Sequence, residues 1–151
     1  MKSLANAVDA DEIFARLARL RPDSARRWGK MNAGEMLCHM ADAARGVLGE
    51  RPLDDRQTLL SRSIIKWIAL WLPVPWPKGV PTGKAIDPLR EGTRPGDFER
   101  DREAVIAEHR RFIERASNMP AEHPFFGPLS PRDWLRWGYL HADHHLRQFG
   151  L

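Results

Sequence analysis

The residues best suited to chemistry in this chain are its histidines, and three of the six crowd into its last dozen positions. Stepping by three and four from Trp134 picks out Trp137, Gly138, His141, His144, His145 and Gln148. In a helix turning 100° per residue these share one stripe, while Leu135, Tyr139, Ala142 and Leu146 point elsewhere. Imidazoles four apart project from adjacent turns, so His141 and His145 can converge on one cation. His144 could replace His145 by spacing, and helix geometry does not choose between them. Gly138, one turn earlier, would leave room beside the ion. Far upstream, His39 edges an apolar stripe of Met36, Met40, Ala43 and Val47, with Glu35 and Asp42 on its polar side. A third nitrogen from there completes a three-histidine site with open coordination positions.

Three neutral imidazoles leave a divalent ion its full charge, so a water on it ionises near neutral pH. That suits hydrolysis, or activation of a small thiol for transfer to an electrophile. His144, Gln148 or Asp42 are candidates to orient the ligands or the substrate. Nitrogen donors suit zinc, nickel, copper or iron alike. Each piece also has a plainer reading: a helix C-terminus favours histidine through its dipole, and His39 alone reads as a core-edge histidine. His109 lies among Val105, Ile113 and Ala116 and reads as a core histidine ahead of an extra contact to a bound ligand. Cys38 points about 100° from His39 and reads as a small buried hydrophobe.

The elements that must position these groups are helical. A first helix is expected from Asp9 to Leu20, carrying Ile13, Phe14, Leu17 and Leu20 at helical spacing. The second begins after Asn32, whose side chain pairs with Glu35 as a cap, and runs through Val47 to a stop near Gly49. Thr58 to Leu72 is apolar on almost every side, which marks a buried helix or one meeting another surface. Residues Pro73 to Gly96 carry six prolines, and a long irregular loop is expected there. The tryptophans at 67, 71 and 76 could line a ligand or membrane interface, but read first as core or subunit packing. Asp97 opens a helix bearing Val105, Ile106, Phe112, Ile113 and Ala116. Ser130, Pro131 and Asp133 open the last one, expected to run to the C-terminus.

Bulk properties narrow the function. At 151 residues the chain fits one domain, 1–151, long enough for a working core. Apolar residues at 42% and charged ones at 29% are globular rather than disordered proportions. The net charge of +4 raises nucleic-acid binding, but arginines sit beside acids in DFERDRE and EHRRFIER, the pattern of solvated helix faces. No nucleic acid and no membrane are expected as partners. One cysteine allows no intrachain disulfide, so a reducing, cytoplasmic setting is expected, and the N-terminus lacks a signal-peptide h-region. Nucleophile elbow, phosphate loop and zinc-finger cysteine spacing are all missing.

HPFFGPLSPRDWLRWGYLHADHHLRQFG, with RWGKMNAGEMLCHMADAARGVLGE, resembles the DinB/YfiT-like superfamily of metal-dependent hydrolases, in a DinB-related branch of unassigned function. The resemblance covers nearly the whole chain and is strongest at its HxxHHxxQ end. It implies an all-α, four-helix bundle, here with an extra short apolar helix and a long Pro-rich loop. It also implies a divalent metal, zinc or nickel, held by one histidine of the second helix and two of the last, which match His39, His141 and His145. Hydrolysis or thiol transfer on a small-molecule substrate, with a thiol as one candidate, and a homodimer follow from the same resemblance. A non-enzymatic bundle that binds a metal or small ligand is the alternative.

Overall fold

The computed structural model describes residues 1–119 and 122–151, and these contain five α-helices and no strand. Helix α1 spans Ala7–Arg19, two residues ahead of the expected start, because Asn6 is the cap: its side chain accepts from the Val8 N–H at 2.9 Å. Helix α2, Ala33–Val47, opens on the Asn32–Glu35 pair, each side chain accepting from the other residue's backbone N–H, at 2.9 and 2.7 Å. Such a box satisfies two of the donors that a helix start leaves unpaired.

The apolar stretch after it does not form one buried helix. A π-turn at Ser61–Ile65 leads into a short α3, Lys66–Trp71, and in these two pieces only Ser61 and Leu70 are buried. Ile64 and Trp67 are 60% and 57% exposed, so a single face is docked. The Ser63 hydroxyl donates to the Leu59 carbonyl four residues back, a bond that competes with regular helix turns. Helix α4 is Phe98–Arg115, capped by Asp97. Helix α5, Pro131–Gln148, starts on the Ser130–Asp133 box and stops three residues short of the C-terminus, where Gly150 has φ +77°.

Helices α1, α2, α4 and α5 supply most of the core, with Ile13, Leu17, Met36, Met40, Val105, Phe112, Ala142 and Leu146 almost wholly enclosed. Helix α2 packs on α4, α1 on α4 and α5, and α3 on α5. Gly138 serves this packing, contrary to the expectation that it makes room for an ion. A methyl there would come within 2.6 Å of Phe112 and 2.8 Å of Leu4. No helix among the described residues is long and apolar enough to cross a membrane.

The loop at 73–96 is irregular apart from one 3₁₀ turn, Lys84–Ile86, yet it is tied down. Asp42 of α2, fully buried, accepts from the Thr93 N–H at 2.7 Å and the Thr93 hydroxyl at 2.8 Å. Arg51 bonds to Asp42 and donates to the Ala85 and Glu91 carbonyls at 2.7 and 2.8 Å. The loop is held against α2 by charge-assisted bonds centred on the buried Asp42 carboxylate and on Arg51.

Candidate metal centre

Helices α2 and α5 bring His39, His141 and His145 together, with one ring nitrogen of each inside a group whose members all lie within 4.8 Å of one another. The His39 and His145 Nε2 atoms are 3.1 Å apart. Donors about 2.1 Å from a shared ion lie about 3.0–3.4 Å from each other, so this spacing suits two ligands of one ion.

The partners of the opposite nitrogens decide where the protons are. His39 Nδ1 faces the Ile86 carbonyl at 2.8 Å, and His145 Nδ1 faces the Gln148 side-chain carbonyl at 2.8 Å. Both oxygens only accept, so both Nδ1 atoms donate and both neutral rings leave Nε2 bare. Two lone pairs then confront each other with no proton between them. A cation relieves this, and each imidazole already has the outward hydrogen bond usual for a histidine ligand. His141 stacks on Trp137, 4.9 Å between ring centres and 18° between planes. Burial, then the neighbouring imidazoles, holds the His141 and His145 pKa values well below the usual histidine range; burial lowers that of His39. The residues present fit a divalent ion.

The other sequence candidates fall in different places. His144 lies outside the cluster and faces the same cavity, its ring near Trp28 and Trp76. Gln148 does orient a histidine of the cluster. Asp42 does not: its carboxylate is taken up by Arg51, Thr93 and Arg45, because α2 turns it toward the loop rather than toward His39. His109 is a core histidine, its Nδ1 donating to the Val105 carbonyl one turn back. Cys38 is buried, and desolvation pushes its thiol up to about 12, which leaves it no nucleophile.

Beside the cluster lies a cavity of about 360 Å³, within the usual range for small-ligand sites. Trp76, read above as packing, forms part of its wall, with its indole N–H donating to the Ala69 carbonyl at 2.8 Å. Val80 and Ile86 bring in more of the loop. Sequence reasoning missed His123, a buried histidine on this wall. Its signal was available: HPFFG joins a histidine to a turn-forming proline and glycine.

Buried neutral histidines make stability fall in acid. The pKa values of His109 and His123 are lowered by burial, that of His123 to about 3. The unfolded chain therefore takes up protons first as pH drops below about 6.5. Stability present above that pH is lost as it falls, by about 1.4 kcal/mol at pH 5.5 for each histidine that stays neutral. Urea unfolding of metal-free protein at pH 7.5 and 5.5 is expected to show the lower midpoint at 5.5; equal midpoints would contradict it.

Neither a curated protein nor a solved structure matches the chain, and nothing in these comparisons places it in the DinB/YfiT superfamily. One family model does match, over residues 2–150. The chain thus belongs to the family described as "Protein of unknown function (DUF1569)".

Proposed function

We propose that this protein is a metal-dependent enzyme, a hydrolase or thiol transferase, in which His39, His141 and His145 hold one divalent ion, zinc or nickel. The observation that carries the reading is the pair of bare Nε2 atoms facing each other at 3.1 Å, each fixed by an acceptor behind it. Such an ion supplies Lewis acidity, polarising a carbonyl and lowering the pKa of water or a thiol toward neutrality. The chain's own groups do the rest. Ile86 and Gln148 fix two of the imidazoles, and Trp76, Val80 and Ile86 give the cavity beside them an apolar wall. A DinB-like four-helix bundle belongs to the same proposal, supported by the four helices that share the core.

A binder without turnover is the second reading. It is favoured by one feature: no Asp, Glu, Lys or Arg lines the cavity among the described residues, so no carboxylate stands ready as a general base. Elemental analysis of protein purified without a His tag or added metal is expected to give about one ion per chain, and much less in His141→Ala and His145→Ala. Turnover of p-nitrophenyl acetate, or of glutathione with chlorodinitrobenzene, would favour the enzyme; stoichiometric metal without either would favour the binder. Unchanged metal in both variants would defeat the centre itself.

A further inference from the structure

His123 sits in a loop that leaves it little freedom. Its backbone N–H donates to the Gly127 carbonyl at 3.0 Å, and the Gly127 N–H returns a bond at 2.9 Å. Gly127 makes this closure possible with φ +69°, where a side chain would also meet Arg62. The Pro124 carbonyl inside the loop accepts from the Arg56 N–H at 2.7 Å. The imidazole is packed between Phe126 and Trp137, 4.7 and 5.0 Å between ring centres. Trp137 in turn stacks on His141. His123 and the histidine cluster thus stand on one aromatic run along the cavity wall.

The loop also settles which nitrogen carries the proton. The backbone N–H groups of Phe125 and Phe126 both point at His123 Nδ1, each at 3.1 Å. An amide N–H only donates, so Nδ1 must accept and be bare. Burial keeps the ring neutral, which puts its one proton on Nε2. A neutral imidazole whose tautomer is imposed by two amides is a fixed hydrogen-bond donor.

Its surroundings say what it would donate to. The cavity is walled mainly by apolar and aromatic side chains, and among the described residues none that lines it is charged at neutral pH once the histidines are neutral. Away from the three-histidine end, a charged group would lose its hydration there with no opposite charge to replace it. An apolar cavity of about 150 Å³ holds benzene, so about 360 Å³ admits a two-ring molecule. A carbonyl oxygen only accepts, whereas a hydroxyl also brings a proton that needs its own partner.

We infer that the cavity takes a neutral, mainly apolar molecule bearing one carbonyl group, and that His123 Nε2–H donates a hydrogen bond to that carbonyl oxygen. This rests on the reading of the cavity as the substrate site of the metal-dependent enzyme.

The test uses a matched pair, 2-acetylnaphthalene and 2-ethylnaphthalene, which differ by a carbonyl in place of a methylene. Binding is measured by calorimetry or fluorescence on the full chain, metal-free in EDTA and again with zinc. The metal-free wild type is expected to prefer the ketone by about 3- to 10-fold, the worth of one net hydrogen bond. His123→Phe is expected to lose that preference while holding the hydrocarbon as before, a difference that general loosening of the loop would not produce. A preference that survives in His123→Phe, or is missing from metal-free wild type, overturns the inference. So does failure of both compounds to bind.

Should His123→Phe not fold, imidazole ¹⁵N spectra of the wild type decide. They are expected to show Nδ1 bare and Nε2 protonated, with Nε2–H shifted by the ketone and not by the hydrocarbon. A proton on Nδ1, or no selective shift, overturns it. Zinc titration in the same samples separates the two ideas: absent zinc binding sinks the metal centre and leaves the metal-free comparison readable.

Discussion

Zinc binding is expected to weaken by at least about 100-fold when His145 is replaced by alanine, with helicity retained. Losing a group that merely orients a ligand costs about 10- to 100-fold, and a lost ligand costs at least the upper end of that. His145 is also the residue whose Nε2 approaches His39 to 3.1 Å, so its removal leaves the remaining nitrogens without their nearest partner. Gln148→Leu is the graded companion. It keeps all three imidazoles but removes the carbonyl that holds the proton on His145 Nδ1, and a loss of about 10- to 100-fold is expected. Competition against a chromophoric chelator measures both, with far-ultraviolet circular dichroism as the check on folding. Wild-type affinity in His145→Ala would remove this residue from the centre.

The second large effect is expected at Asp42, which touches none of the imidazoles. Asp42→Ala should cost about 3–5 kcal/mol, the usual result of breaking a buried ion pair from one side. The carboxylate has no exposed surface and satisfies Arg51 and both donors of Thr93. Without it the Arg51 guanidinium is left without its buried counter-charge, and the same guanidinium holds the Ala85 carbonyl. Ala85 precedes Ile86, whose own carbonyl sets the His39 tautomer. Zinc affinity should therefore fall as well, through the loop. Urea unfolding and chelator competition on the same variant test the two parts. A stability change under about 1 kcal/mol would refute the buried-pair argument. Unaltered zinc affinity in a clearly destabilised variant would refute the relay through the loop.

Much of the helical framework was legible because helix ends are encoded locally. Asn32 with Glu35, Asp97, and Ser130 with Asp133 each mark a start within four residues, and each start lies where its cap puts it. The meeting of His39 with His141 and His145 was legible for a related reason: a stripe at helical spacing must face one way. What could not be read depends on contacts between distant segments. Whether Asp42 turns to His39 or to Thr93 depends on a loop fifty residues later. Gly138 looks like space for an ion until Phe112 and Leu4 are seen against it. The apolar run at 58–72 reads from its composition as buried or as meeting another surface, but the π-turn and the short helix after it leave just one face docked. His123 was overlooked because an irregular loop has no periodicity to announce its direction.

Ile86 plays two parts through different atoms. Its carbonyl belongs to the main chain and restrains His39, while the residue also helps line the cavity. A carbonyl is common to all twenty amino acids. Selectivity for the guest molecule can thus drift, or be engineered, by exchanging side chains at this position and at Val80, while the apparatus that grips the ion stays as it is.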